Sequence, residues 1–169
     1  MGCGTGDPAC SLVSSVLDNG FSRTINVVFQ DYSQETIDSV TRPNVESKLG
    51  KLPDELKSLI KLHYVSSPWD SFSLEPLELA NVQVILSSEC VYREDLFDSF
   101  SAVLDKALAP SNSVCYIAAK RYYFGCGGGT IAFSEYLSSH PVYCHWRVNV
   151  VHVEENGFSN TREILEIHK

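Results

Sequence analysis

The sequence predicts an α/β chain, a mostly parallel sheet covered on both faces and closed by one antiparallel hairpin. Three observations carry this. Short apolar, β-branched runs at Ile25 to Phe29, Val82 to Leu86 and Val114 to Ala119 alternate with segments of helical period. Those runs are nearly unbroken in apolar residues, as strands buried on both faces must be. Near the end, Val142 to Val153 and Arg162 to Ile167 alternate around Glu155-Asn156-Gly157, a hairpin signal.

Taken in order, Asp7-Pro8 reads as an N-cap followed by proline at the first helical position. Ala9, Leu12, Val13, Val16 and Leu17 then share one helical face, and Asn19-Gly20 ends the helix. After the strand at Ile25, a short helix is expected from about Gln34 to Val40. Thr41 to Lys51 is polar, and Asn44 to Pro53 is the segment expected to be soft. Pro53 to Lys61 can form a helix, Leu62 to Val65 a weak strand, and Val82 to Leu86 a stronger one bounded by Asn81 and Ser87-Ser88. Leu96, Phe97, Phe100, Val103, Leu104, Ala107 and Leu108 form a helical stripe over Asp95 to Leu108, broken by Pro110-Ser111-Asn112. Val114 to Ala119 is a strand and Thr130 to Ser138 a helix. No repeat or linker divides the 169 residues, so one domain is expected.

Composition narrows the function. Lys plus Arg number 13 and Asp plus Glu 21, a formal charge of −8, which argues against a protein that grips a phosphate backbone. At 44% hydrophobic and 20% charged residues, the chain has the make-up of a folded globule rather than a disordered one. No stretch reaches the roughly 20 apolar residues that cross a bilayer, so no membrane role is expected. Cys3, Cys10, Cys90, Cys115, Cys126 and Cys144 form no CxxC pair, so neither zinc nor another metal is expected. Six reduced thiols suit a reducing compartment, cytoplasm and/or nucleus. Among the histidines no pair has metal-ligand spacing, and His152, in an apolar strand, is expected to be packed.

Gly2-Cys3-Gly4-Thr5-Gly6 stands directly before the first helix. Alternating glycines let a backbone turn sharply and approach a ligand, and the helix start offers free N–H groups. The spacing is GxGxG, whereas a dinucleotide fingerprint is GxGxxG. Asp7 takes the sixth place, where its carboxylate would oppose a pyrophosphate, so an adenosyl ligand without phosphates suits the loop better and a nicotinamide oxidoreductase suits it poorly. Asp31, at the end of the strand that begins at Ile25, lies where a ribose-binding carboxylate is expected. It could equally cap the helix from Gln34.

The glycine loop with Asp31 resembles the S-adenosylmethionine site of class I methyltransferases. Phe29-Gln30-Asp31-Tyr32-Ser33, Thr41-Arg42-Pro43-Asn44-Val45, Ser87-Ser88-Glu89-Cys90-Val91-Tyr92 and Ala118 to Gly129, with its Lys-Arg-Tyr-Tyr-Phe-Gly run, narrow the resemblance over nearly the whole chain. Together they look like the eukaryotic protein-histidine methyltransferase family, methyltransferase-like eighteen type. The resemblance implies a Rossmann-like sheet and methylation of a histidine in a large-subunit ribosomal protein. It implies a cofactor site of Gly2, Cys3, Gly4, Thr5 and Gly6 at the amino-acid end and Asp31 at the ribose, with Tyr32, Trp69 and Ser87 beside them. Trp69 matches a tryptophan near the adenine. An acidic residue often precedes that tryptophan, and here Pro68 stands in its place. Relatives carry a β-strand ahead of the glycine loop and this chain opens on the loop, so a fold without that first strand, N-terminally incomplete, is expected.

On the acceptor side, neutral imidazole is a competent nucleophile when an acceptor holds its other N–H and fixes the tautomer. Glu89, just past a strand, is the first candidate for that acceptor, although it could instead cap the helix near Asp95. Tyr92 could close the slot or pack as a core aromatic. Tyr122, Tyr123 and Phe124 could wall in a peptide, and the glycines that follow permit a tight loop. A protein-lysine methyltransferase and a catalytically silent binding module remain alternatives.

Overall fold

The computed structural model describes residues 1–77, 82–108, 112–155 and 160–169. The chain falls into two compact units, Met1–Pro68 and Trp69–Lys169. Asn81, Pro110-Ser111 and Asn156-Gly157, invoked above as turns and breaks, lie outside the described residues.

In the first unit, α1 (Asp7–Asp18) leads to β1 (Ile25–Asp31), and β1 pairs in parallel with β2 (Ile60–Ser66), Ile25 opposite Ile60 and Asp31 opposite Ser66. Between the strands run α2 (Gln34–Thr36), a π turn (Ile37–Thr41), α3 (Arg42–Leu49) and α4 (Asp54–Lys57). The core is Cys10, Val13, Leu17, Val27, Phe29, Val45 and Leu49. On α1 the buried stripe is therefore Cys10-Val13-Leu17, while Leu12 is 41% exposed. Helical period alone allowed either face; the small Cys10 is the residue that lies against the strand side. Asp7 is the first helical residue rather than its N-cap, a place taken by Gly6 in the left-handed region.

The segment expected to be soft is helical. Val45 and Leu49, four apart, bury one stripe of α3, and its Asn44 and Lys48 are committed to the loop described below. Helix period was hard to see because only two of eight residues are core-facing. A π turn precedes Pro43. Proline removes an N–H and crowds the carbonyl four residues back, so a locally widened turn lets the helix continue through it. The helix expected over Pro53 to Lys61 stops at Lys57, because Ile60 onward pairs with β1.

The second unit holds a four-stranded sheet of order β3-β4-β6-β5: β3 (Val84–Ser88), β4 (Val114–Lys120), β5 (Arg147–Glu154) and β6 (Arg162–His168). β3 and β4 are parallel, whereas β6 runs antiparallel to both β4 and β5. The closing hairpin is thus present, with its second strand inserted beside β4. The described strands form two hydrogen-bonded sheets rather than one. α5 (Phe97–Ala107) buries Phe97, Phe100, Val103, Leu104 and Ala107, the predicted stripe. α6 (Thr130–Ser139) adds Phe133 and Leu137, and the sheet adds Ile85, Cys115, Ile117, Leu165 and Ile167. Burial pushes the Cys115 thiol up to about 12, so it behaves as an inert apolar group. β5 differs from expectation. It is an exposed edge strand, irregular between Val150 and His152, and His152 is on the surface. Its valines alternate in sequence without a core to face.

Candidate functional site

In the first unit the glycine loop is tied to the end of β1 and to α3. Cys3 N–H donates to the Gln30 carbonyl at 2.9 Å, and Gly4 N–H donates to Asp31 Oδ2 at 3.2 Å. The other Asp31 oxygen accepts the Ser33 N–H at 3.2 Å, so the carboxylate organises both the loop and the turn into α2. Ser33, not Asp31, caps that helix, through its Oγ and the Thr36 N–H. Asp31 is 6% exposed; Tyr32 beside it is 80% exposed and makes no part of that cradle.

Two residues of the Thr41-to-Val45 motif hold the loop from behind. The buried Thr41 donates its hydroxyl to Gly4 O at 2.5 Å and lies 3.6 Å from Cys3 Sγ. Asn44 donates from Nδ2 to Thr5 O and to Asp7 Oδ1, both at 2.7 Å. Neither residue stood among the predicted site residues, although the motif that contains them did. Only the π turn brings Thr41 under the loop. Thr5 donates its own hydroxyl to Asp7 Oδ2 at 3.0 Å, so it braces the loop.

The two inner glycines differ. At Gly4, with φ +47°, a Cβ would meet nothing within 4 Å, and the space beside the Asp31 carboxylate is open. At Gly6, with φ +75°, a Cβ would lie 2.8 Å from Phe29 Cε1 and 3.0 Å from Val45 Cγ2. Gly4 is therefore the position where a ligand can approach, and Gly6 is a packing requirement. Gly2, also at positive φ, donates its N–H to Gln30 Oε1 at 3.3 Å.

Asp7 carries the clearest electrostatic signature. Its bond to Lys48, then those from Asn44 and Thr5, holds its carboxyl down to about 2. A carboxylate depressed in the folded state contributes stability above its unfolded value of roughly 3.9, and loses it as the pH falls toward about 2. The urea midpoints of the parent and Asp7→Asn are therefore expected to differ at pH 5 and to converge as the pH approaches 2. A constant difference across that window would assign the Asp7 effect to something other than its charge.

In the second unit, Glu89 follows β3 directly and is, among the described residues, the non-glycine residue found at positive φ, +56°. Such a conformation is costly for a side chain with a Cβ and tends to survive at functional sites. Its N–H donates to Ala118 O at 2.8 Å, at the end of β4. Its carboxylate does not cap the helical turn near Asp95. Oε2 accepts the Tyr123 hydroxyl at 2.6 Å, and Oε1 accepts Arg162 Nη1 at 3.0 Å. Burial and then the bond to Glu89 push the Tyr123 phenol above its usual range, which keeps it a donor. Tyr92 meets Tyr123 edge-on with ring centroids 6.3 Å apart. The fold thus brings Glu89, Tyr92 and Tyr123 together.

Tyr122, Tyr123 and Phe124 do not form one wall. Tyr123 turns inward to Glu89, Tyr122 is 48% exposed, and Phe124, at 89%, stands at the loop tip. Side chains of consecutive residues diverge, and here the loop is folded on itself. Tyr123 N–H donates to Gly128 O at 3.0 Å, Gly129 N–H to Val91 O at 2.8 Å, and Asn160 Nδ2 to Tyr122 O. Arg162, at the start of β6, was not among the predicted site residues. Its place beside Glu89 depends on a strand pairing, β4 with β6, across 42 residues between Lys120 and Arg162 that no local pattern encodes. Trp69 rests on Phe100 with centroids 4.8 Å apart, and Ser87 is buried at the end of β3.

A family model described as lysine methyltransferase matches residues 1–126. The chain is 32% identical over 169 residues to the histidine protein methyltransferase 1 homolog of Dictyostelium discoideum, covering 99% of this chain and 48% of that protein. It is 31% identical to the histidine protein methyltransferase 1 homolog of Bos taurus, covering 85% of this chain and 42% of that protein. The chain therefore spans about half the length of the curated relatives it matches. Among solved structures, magnesium protoporphyrin IX methyltransferase from Synechocystis PCC 6803 aligns with a TM-score of 0.58, in its form with bound SAH at 7% identity and in its form with bound SAM at 8%. The alignments cover 98% of this chain and 84% and 80% of those chains, and they show a class I methyltransferase fold.

Proposed function

The chain belongs to the methyltransferase family whose model is described as lysine methyltransferase and whose matching relatives bear histidine methyltransferase names, and from that premise we propose that it takes part in S-adenosylmethionine-dependent methylation of a histidine ring nitrogen in a protein. The resemblance of its loop motifs extends the proposal to a large-subunit ribosomal protein as target, met in the cytoplasm or nucleus. A single domain of this class is part of the same reading.

The residues present fit the cofactor. Gly4 leaves open space where any other residue would project a Cβ, beside a buried carboxylate whose two oxygens each accept one N–H and retain capacity for a hydroxyl. Within the first unit, Asp31 would take the ribose and Gly2, Cys3 and Gly4 the amino-acid end. When bound, S-adenosylmethionine supplies an electrophilic methyl group on a sulfonium.

The observation that carries the acceptor reading is the Glu89 carboxylate, aimed by a positive φ and held by Tyr123 and Arg162. Glu89 would accept the N–H of the target imidazole, so that the other ring nitrogen presents its lone pair. With the methyl group on that nitrogen the ring would be an imidazolium, whose remaining N–H Glu89 would hold until the proton passes to water. Tyr92 and Tyr122 would close the slot.

Calorimetry with S-adenosylmethionine and mass spectrometry of ribosomal proteins incubated with the chain test this reading. Methyl groups on histidine support it. Methyl groups on lysine would favour the second reading, which the family description suggests, and cofactor binding without transfer would favour a silent binding module. Asp31→Ala is expected to weaken cofactor binding by about 5- to 150-fold, the equivalent of roughly 1–3 kcal/mol. Equal affinity would remove Asp31 from the ribose. Tyr122→Ala is expected to raise KM for the protein target with little change in kcat, because exposed wall area binds ground and transition states alike. Steady-state kinetics on one target protein separates the two.

A further inference from the structure

Glu89, as the acceptor of the target N–H in the proposed reaction, does not act as a bare carboxylate, and its partners bear on which acceptor it can serve. Arg162 Nη1 lies 3.0 Å from Oε1, while the Tyr123 hydroxyl occupies Oε2 at 2.6 Å and receives the Lys120 N–H at 3.2 Å. Lys120 Nζ stands 5.4 Å from the Tyr123 ring centroid, so a second cation lies beside the phenol that bonds Glu89. Arg162 is half-exposed and reaches Glu89 through one nitrogen only. A surface pair of that kind adds little to stability. Its effect on a ligand's charge is larger, because the guanidinium cancels the charge that would draw a cation to Glu89.

The two candidate acceptors differ in that charge. Imidazole is largely neutral near pH 7, offers one N–H and already has its lone pair. A lysine side chain arrives as an ammonium and must first lose a proton. A carboxylate paired with a guanidinium and bonded to a phenol is a fixed acceptor, and the adjacent cation repels an ammonium. We propose that Arg162 is a positioning residue that sets acceptor class: by neutralising and aiming Glu89, it makes the site accept a neutral imidazole and disfavour a lysine ammonium. This rests on Glu89 being the acceptor-holding group, and it adds a determinant outside the motifs by which that group was found.

The test uses the full chain with S-adenosylmethionine and two degenerate peptide pools that differ only in a fixed central His or Lys, read by mass spectrometry. The unaltered chain is expected to methylate the His pool in preference. In Arg162→Gln the ratio of His to Lys methylation is expected to fall by about tenfold, the size of effect one partly screened charge supplies. Arg162→Lys should restore the ratio, because the contact uses a single nitrogen and needs charge rather than a planar fork. Because the pair is half-exposed, the variants should keep the parent's urea midpoint, and unaltered cofactor affinity by calorimetry checks the rest of the site. A ratio in Arg162→Gln within twofold of the parent would overturn the proposal while leaving the Glu89 reading intact. Loss of both activities in Arg162→Gln without rescue by Arg162→Lys would also overturn it, marking Arg162 as a structural residue. Preference of the unaltered chain for the Lys pool, or labelling of neither pool by a chain that binds the cofactor, would overturn the underlying reading and this inference together.

Discussion

Glu89→Gln is expected to lower the rate of histidine methylation by about 100-fold, the scale at which loss of orientation at a reacting group is felt. The amide keeps the shape of the side chain but has one acceptor oxygen in place of two. It can satisfy the Tyr123 hydroxyl or Arg162, but not both, and its NH2 then faces a donor. The imidazole loses a charged acceptor, its tautomer is no longer fixed, and fewer encounters present the right lone pair. Cofactor affinity should remain within about twofold, because no cofactor contact is assigned to Glu89. Single-turnover labelling of a histidine-containing target, with calorimetry alongside, reads both. Turnover equal to the parent would remove Glu89 from the acceptor site, and a matching loss of cofactor affinity would show that the substitution had disturbed more than the acceptor.

Gly6→Ala should be the most destabilising small change in the glycine loop, at about 2–5 kcal/mol. Left-handed backbone costs an alanine roughly 1–2 kcal/mol, and a methyl forced into a filled core adds about 1–3. The methyl would sit 2.8 Å from the Phe29 ring and 3.0 Å from Val45, residues 1% and 0% exposed, with no room to yield. A drop of roughly 1–2 M in the urea midpoint is the expected signal. Gly4→Ala, with nothing near its Cβ, should lose much less stability and show its effect in S-adenosylmethionine affinity instead. Were the two variants to lose stability equally, the division into a packing glycine and a ligand-facing glycine would be wrong.

The legibility of the chain follows the range of the interactions involved. Element type was readable wherever one element carries its own pattern: the α5 stripe from Phe97 to Ala107, the apolar run of β4, and proline at the start of α1. Asp31 and Glu89 were readable as candidates because one ends a strand and the other follows one directly, where an α/β sheet presents side chains to ligands. The helix over Arg42–Leu49 was not, since a two-residue stripe gives almost no periodic signal and its Asn44 and Lys48 serve the loop it supports. The divergence of Tyr122, Tyr123 and Phe124 was not readable either, because it follows from hydrogen bonds to Val91 and Gly128 rather than from the three residues themselves.

The amino-acid order alone established the α/β class, the GxGxG loop ahead of a helix, the carboxylates Asp31 and Glu89 as site candidates, and the resemblance to protein-histidine methyltransferases. All of these depend on residue type and short spacing, quantities fixed before the chain folds. Folding was needed to distinguish Gly4 from Gly6, to put Thr41 and Asn44 behind the loop, and to bring Arg162 onto Glu89. Each of these depends on groups 23 to 73 residues apart meeting within hydrogen-bond or van der Waals distance. Such meetings are set by strand pairing and by the packing of helices on a shared core, whose cooperative free energy is a property of the whole structure and of no single segment.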